Sequence, residues 1–357
     1  MDEYLAELAH HYGRSANVDV AVQYLTSAVK QKMDEAMRLE QGSNDSPSSM
    51  ISVSRLRESA DTVAGQIIRA AQARRADKAQ TGIESVESIW RYPVKSMAGE
   101  ELSAANVSLR GLLGDRLYAV INPVSNRTAN VRSWAAALLN YRARFVAEPE
   151  PDAPAPDLRI TLPDGFTIAA SDPDIHERLS AGFDRKLRLV STAPAGLSVE
   201  LPAGTLSGSM SNVTEVPIGI GAPPGAFFDY GCVHLIATST LHHLQSLYPQ
   251  GRFDVRRFRP NIVVRSQESP FIENSWIGRM VAIGGEVVLR ITIPCVRCVT
   301  MIMPQFDLPH DPGILRTVAQ HNMQDLGDFG VLPCAGVYAD VVQPGAIRRG
   351  DTMHYLD

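Results

Sequence analysis

The chain is poor in cysteine, poor in aromatics and has no long apolar run. Four cysteines in 357 residues are too few for a disulfide framework. With no export signal in view, they are expected to be reduced thiols used for packing, catalysis or metal binding. No stretch approaches ~18 uninterrupted apolar residues, so no membrane span is expected. The opening Met1-Asp2-Glu3-Tyr4 is acidic and lacks a basic then apolar leader, and the expected location is cytoplasmic. A net charge of −5 offers no basic surface, which argues against nucleic acid as the main partner. There is no internal repeat, G-x-G-x-x-G or P-loop, so neither a Rossmann nor a Walker nucleotide site is supported.

What remains is an ordinary globular composition, 45% hydrophobic and 20% charged. The length suits two or three domains. In the first 80 residues Val18, Val22, Leu25, Val29, Met33 and Met37 recur every three or four positions, one face of a helix with Asn17 as N-cap. The stretch Gly42 to Ser49 breaks it. Val53, Leu56, Ala60, Val63 and Ile67 then form a narrow heptad-like seam ending in Arg74-Arg75-Ala76-Asp77-Lys78. A helical appendage is predicted over 1–80. Its stripe either packs on the body, forms a homodimer, or docks a redox or carrier partner.

From Ile83 onward the chain turns β-rich. Leu158, Ile160 and Leu162 alternate into Pro163-Asp164-Gly165, and Phe166 and Ile168 alternate out, a hairpin. Pro149 to Pro156 reads as a surface loop, and Thr205 to Gly225 as a long connection. Thr238 to Tyr248 reads as a short helix, with strand-like pattern again after Arg252.

Three clusters can hold an anion. Tyr92-Pro93-Val94-Lys95-Ser96 follows a strand and puts an ammonium and a hydroxyl on a stiff turn. Gly111-Leu112-Leu113-Gly114-Asp115-Arg116 pairs tight turns with a guanidinium fork suited to phosphate. Arg256-Arg257-Phe258-Arg259-Pro260-Asn261 precedes the apolar Ile262-Val263-Val264. Lys95, Arg116, Arg259 and Asn261 thus stand at strand ends as donors. Each also has a plainer reading, such as a surface ion pair between Arg116 and Asp115.

Pro294-Cys295-Val296-Arg297-Cys298 holds two of the four cysteines. It follows a Gly284-Gly285 turn and a strand in which Val287, Leu289, Ile291 and Ile293 point one way. A structural zinc site needs four ligands, and no second Cys-x-x-Cys or His pair completes one. A thioredoxin-like pair should open a helix, whereas a strand leads in here and a β-branched run follows. One thiolate acting as ligand or nucleophile remains, made more acidic by Arg297 and the basic cluster. His234 reads as packed or hydrogen-bonded, Asp229 as a turn residue or an acceptor, and Trp134 and Trp276 as core or cavity wall. His321 and Asn322 lie in a loop-rich stretch open to a specificity role.

These motifs resemble the MOSC family, named for the C-terminal domain of molybdenum-cofactor sulfurases. The Lys95-Ser96 and Arg116 motifs look like the openings of that family's N-terminal β-barrel domain. Phe227-Phe228-Asp229-Tyr230, His234-Leu235, Arg257 to Asn261, Cys295 to Cys298, Asp311 to Leu315 and Gly336 to Ala339 resemble the MOSC domain. The resemblance implies a mainly β fold with an α appendage. A helical segment (1–80) would lead to a β-rich MOSC N-terminal domain (83–200) and then a MOSC β-barrel (201–357). It further implies binding of the molybdenum cofactor, molybdopterin. By analogy with mitochondrial amidoxime-reducing relatives, Cys298 would ligate molybdenum, two soft, polarisable partners. Lys95 and Arg116 would meet the pterin phosphate, Arg259 and Asn261 would make further cofactor contacts, and Ser96 and Arg297 would flank them. Those relatives carry a hydroxyl residue where Val296 stands here. Cys295 is expected to be buried packing.

Three functions follow from the resemblance. The first is a molybdenum oxidoreductase reducing N-hydroxylated compounds. The chain has no ferredoxin, flavin or haem motif, so a separate electron-transfer protein would supply the electrons. The second is a sulfur carrier or sulfurtransferase using a Cys298 persulfide and an external sulfur donor. The third is a non-enzymatic cofactor-binding or interaction protein.

Overall fold

The computed structural model describes residues 84–132, 135–151, 153–202, 213–217 and 227–356. The helical segment expected over 1–80 and Trp134 lie outside the described residues. Ile83–His354 forms one compact unit, mainly β, with four α-helices among the described residues.

Seven strands close on themselves: β1 (Glu84–Arg91), β2 (Val233–Ala237), β3 (Ile262–Arg265), β4 (Met280–Ile283), β5 (Val287–Val296), β6 (Val331–Gln343) and β7 (Thr352–Tyr355). Their neighbour order is β2-β3-β1-β7-β4-β5-β6, and β6 pairs back to β2. Only β2 and β3 are parallel among the pairs β1–β3, β1–β7, β2–β3, β4–β5, β5–β6 and β2–β6. Closure removes the unpaired edges that an open sheet would expose. β1 comes from well before the other six in sequence, so the barrel cannot close without it.

The sequence periodicity is visible in the core. Val287, Leu289 and Ile291 are at most 1% exposed. Burying one such side chain contributes roughly 1.5–3 kcal/mol. The alternation fails at Ile293, which is only half-buried. The β5–β6 register shifts between Ile291 and Pro294 and again before Val296, and Pro294 has no N–H to offer the ladder. The strand therefore bends where the cysteines begin.

Beside the barrel lie a five-stranded sheet, containing Ala119–Asn122 and Arg188–Val190, and a three-stranded meander. The meander contains the hairpin read from sequence, Leu158–Thr161 against Thr167–Ala169. Helix α1 (Ile175–Phe183) buries Ile175 and Leu179 with Val94, Leu138, Leu158 and Ile160. The Thr205 to Gly225 connection contains a strand, Val213–Pro217, antiparallel to Ser198–Pro202; its short Val-Thr-Glu-Val alternation is masked by the flanking Gly, Ser and Pro.

On the barrel's other flank, α2 (Thr238–Leu247) and α4 (Pro312–His321) share a core of Leu244, Phe253, Phe258, Met301, Ile314 and Val318. Asp311 caps α4 by accepting from Gly313 N, with Pro312 in the first turn. The strand-like stretch expected after Arg252 begins instead with a one-turn helix, α3 (Val255–Phe258). The Asp254 side chain caps it by accepting from Arg256 N at 2.9 Å. No helix among the described residues is long and apolar enough to cross a membrane.

Candidate functional site

The three basic motifs meet because backbone hydrogen bonds tie them side by side. Arg116 N donates to Tyr92 O at 2.8 Å, Tyr118 N to Pro93 O at 2.9 Å, and Lys95 N to Tyr118 O at 2.8 Å. Asp115 Oδ1 accepts from Tyr92 N at 2.7 Å. From the barrel, Trp90 N donates to Asn261 O and Asn261 N to His234 O, both at 2.8 Å. Helix α3 ends at Arg259 in the left-handed conformation, φ 56°. Ser96 and Arg116 are left-handed too, at φ 70° and 47°. Three non-glycine residues of one site held at positive φ cost conformational energy, and such strain concentrates at functional sites.

These residues surround a cleft enclosing about 810 Å³, part of it open to solvent. Its wall contains Lys95, Ser96, Arg116, Arg259, Asn261, Arg297 and Cys298, every site residue read from the sequence. It also contains Asn130, Arg132, Asp229, His234, Thr300 and Tyr338. Arg132 and Thr300 had no signal of their own in the sequence, and Tyr338 entered only as part of the Gly336 to Ala339 motif, with no role assigned to it. Arg132 lies in a plain Ala-Asn-Val-Arg stretch far from any of the motifs.

Among the described residues five cations face this space, and they are unevenly committed. The Lys95 ammonium, 6% exposed, donates to Asp229 Oδ1 at 2.6 Å and Phe227 O at 3.1 Å. Burial lowers its pKa and Asp229 works against that. Arg116 pairs with buried Asp115 at 2.5 Å and donates to Arg259 O at 3.4 Å. Arg297 donates to Cys295 Sγ at 3.1 Å and Phe258 O at 2.9 Å, while its buried Nε has no partner among the described residues. Burial works against charge on Arg132, but Cys298 and Asp229 lie close enough to raise its pKa overall. Arg259 is the least committed. Its guanidinium stacks 4.3 Å from the Tyr92 ring centroid, and Arg116 stacks 4.4 Å from the same ring. Burial lowers the Arg259 pKa to about 10, a measure of how poorly its charge is compensated.

Other members hold the frame. Asn261 uses its side chain within the protein, donating to Asp115 Oδ2 at 2.9 Å and Trp90 O at 3.2 Å, and accepting from His234 N at 3.1 Å. The Ser96 hydroxyl donates to Ala129 O at 3.3 Å. His234 is buried; desolvation, then Arg297, pushes its pKa well below the usual value, so the ring is neutral. Its Nδ1 faces Arg259 O at 3.4 Å, which makes Nδ1 the donor. Asp229, read as a turn residue or acceptor, is the counter-ion of Lys95. Trp276 is fully buried core. Asn322 is buried and donates to Cys334 O at 2.8 Å; neither it nor His321 lines the cleft.

The cysteines divide cleanly. Cys232, Cys295 and Cys334 are buried, and Cys298 alone is partly exposed. The Val299-Thr300 pair, which reads as a continuing strand, forms a single 3-10 turn (Val299–Ile302) instead. Cys298 is its N-cap residue, and Cys298 Sγ lies 3.3 Å from Thr300 Oγ1. The ladder has ended at the bulge, so the backbone is free to turn. Among the described residues no group of three or more His, Cys, Asp and Glu could hold a metal ion. A metal at Cys298 would therefore bring most of its ligands with it.

A closed β-barrel that presents one partly exposed thiol within a cation-lined cleft is an arrangement suited to an anionic, heteroatom-rich ligand. The MOSC domain profile matches residues 226–354, and the MOSC N-terminal beta barrel domain profile matches residues 83–139. Together they span more than half of the chain, which belongs to the MOSC domain family. It is homologous to the mitochondrial amidoxime-reducing component 1 of Mus musculus, 26% identical over 81% of this chain and 86% of that protein. The human component 1 is 24% identical over 77% of this chain and 83% of its own length. The solved YUAD protein from Bacillus subtilis aligns with a TM-score of 0.35 and 13% identity over 76% of this chain and 94% of that one.

Proposed function

We propose that the cleft binds the molybdenum cofactor and that the protein is a molybdenum-dependent oxidoreductase acting on N-hydroxylated compounds. The observation that carries this is the partly exposed Cys298 thiol facing a space lined by Lys95, Arg116, Arg132, Arg259 and Arg297. A thiolate suits a soft metal, and the cations suit the pterin phosphate. The uncommitted Arg259 guanidinium and the orphaned Arg297 Nε are donors awaiting an anion. The relatives' names supply the substrate class, amidoximes, which bear an N–OH group.

When bound, the cofactor supplies the two-electron chemistry by which N–OH becomes N–H with release of water. The chain's residues hold and orient it: Lys95, Arg116 and Arg259 at the phosphate, Cys298 at the metal. Arg132 and Arg297 line the same wall as the Cys298 thiol. The Tyr338 phenol, kept protonated by burial and then by Cys295, stands in the same wall. A separate electron-transfer protein supplies the two electrons.

The test is elemental and pterin analysis of the full chain made in a host that synthesises the cofactor. Near-stoichiometric molybdenum is expected, lost in Cys298→Ser and kept in Cys295→Ser; Arg116→Ala should lose pterin as well. A folded, reduced protein with neither molybdenum nor pterin overturns the reading. An extra sulfur atom on Cys298 in that sample would favour sulfur transfer.

A further inference from the structure

A second cleft shares Arg259 with the first. It encloses about 840 Å³, part of it open to solvent. Tyr92, Arg142, Arg144, Gln305 and Phe306 are in its wall. The part of the cleft that a water-sized molecule can occupy is about 310 Å³, the lower end of the range of small-molecule sites.

The wall holds an excess of unanswered donors. Arg142 and Arg144 alternate onto the exposed face of one strand, Arg142–Phe145. Among the described residues neither forms an ion pair; Arg142 rests only on the Phe306 ring, 4.9 Å from its centroid. Arg144 also stands directly opposite Arg159 on the neighbouring strand; Arg159 is met by Asp157 at 3.5 Å, and Arg144 by no carboxylate among the described residues. The Gln305 side chain is 3% exposed, and its Nε2 has no partner among the described residues. Its position is fixed, because Gln305 exchanges backbone hydrogen bonds with Leu308 at 2.9 and 3.0 Å. Tyr92 Oη is likewise buried and unpartnered among the described residues. Buried donors left without partners are the exception in folded proteins. The acids nearby do not answer this excess. Glu100 is engaged by Arg91 at 2.8 Å, and Glu101 is a single exposed carboxylate; Arg256, in the same wall, is matched by Asp254 and Asp307.

The wall also holds a flat apolar face. Phe306 is 44% exposed at φ 50°, and its N–H is held by Asn140 Oδ1 at 2.6 Å. The Arg142 guanidinium covers one face of this ring, and an exposed aromatic on a pinned left-handed residue offers its remaining surface as a stacking platform beside a phosphate site.

We propose that this second cleft binds a nucleotide, with its phosphate on Arg142 and Arg144, its base stacked on Phe306 and its remaining acceptors on Gln305 Nε2. The proposal goes beyond the reading of the first cleft and stands if that reading fails. The nucleotide is either free or the end of a longer ligand that passes Arg259 into the first cleft.

Titration calorimetry on the full chain with adenosine, guanosine and cytidine monophosphates and with inorganic phosphate tests it. At least one nucleotide should bind saturably and roughly tenfold tighter than phosphate. Arg142→Ala/Arg144→Ala should weaken it by roughly tenfold or more. Phe306→Ala should erase the advantage over phosphate. All three positions are exposed, so the variants should keep the wild-type melting temperature. Mass spectrometry of small molecules released on denaturing the purified wild type separates the sources. A nucleotide covalently joined to a second moiety marks the longer ligand, while saturable binding with no such release marks the free one. No saturable nucleotide binding together with no released nucleotide overturns the proposal, as does wild-type affinity in the double variant.

Discussion

Lys95 and Asp229, 134 positions apart, meet at 2.6 Å and join the two matched segments of the chain across the wall of the first cleft. The pair is buried on one side only: the Lys95 side chain is 7% exposed and that of Asp229 58%. Burial works to raise the Asp229 carboxyl, but Lys95 and Arg132 outweigh it and hold it well below the usual carboxylate range. Solvent screens such a pair, so Asp229→Asn should cost about 1–2 kcal/mol at pH 7, less than a fully buried pair. A depressed carboxylate contributes stability that is lost as pH falls from its ordinary value of 3.8 toward the folded one. The gap between wild type and Asp229→Asn in urea denaturation should therefore narrow below about pH 4.

Thiol reactivity should follow exposure. Under native conditions iodoacetamide should add once, at Cys298, because the other three cysteines are buried. Burial also pushes the Cys232 and Cys334 thiols up, to about 11 and about 12. Intact-mass analysis should show one adduct on the wild type and none on Cys298→Ser. Early modification at a second site would contradict the burial pattern.

Glu273 is fully buried, accepting from Thr240 Oγ1 at 2.7 Å and Gly336 N at 3.2 Å. Burial, only partly offset by these bonds, pushes its carboxyl up to about 7 from 4.5. The native state thus binds a proton that the unfolded chain releases. That stability is fully present below pH 4.5 and is lost as pH rises through about 7. Glu273→Gln keeps the acceptor for Gly336 and can donate to Thr240. It should be the more stable protein at pH 8, by roughly 2–3 kcal/mol, and nearly equal at pH 4. Thermal melts at the two pH values measure this.

Gly336 sits in β6 at φ 81°, where an added Cβ would collide with His234 Nε2 and Leu235 O, both within 2.5 Å. The Leu235 carbonyl belongs to β2 and cannot retreat without disturbing the β2–β6 pairing that closes the barrel. Gly336→Ala should destabilise the protein by about 3 kcal/mol, from backbone strain and overpacking together. Gly165→Ala, also at positive φ but with open space around it, should cost only the strain. The difference in urea midpoint between the two variants isolates the collision.

Much of the site is legible in the order of residues along the chain. Lys95 and Cys298 announce themselves because each follows a strand, Arg259 because it immediately precedes one, and Arg116 because it closes a glycine-bounded turn. Arg132 and Tyr338 do not. Arg132 enters the cleft through a loop with no motif, and Tyr338, although inside the Gly336 to Ala339 motif, lies within a strand whose pattern does not say that its ring faces a cleft. Asn261 reads as a ligand contact by its motif, yet its amide and carbonyl are used on Asp115, Trp90 and His234. The one-turn helix α3 is hidden because four residues are too few for periodicity to show, although its cap, Asp254, is in plain view.

By itself the sequence determined which faces are apolar, where turns must fall, and which side chains bring charge and sulfur. These are properties of neighbours along the chain, set by alternation, by glycine and proline, and by side-chain chemistry. Only the tertiary structure decided that β1 would complete the barrel and that Lys95 would find Asp229. It also decided that Cys298 alone would be left partly exposed, and that Arg259 would line two clefts. Those outcomes depend on how distant strands register, and on a bulge at Pro294 that turns the cysteines out of the ladder. Register is a property of pairs of segments, and no single segment encodes it.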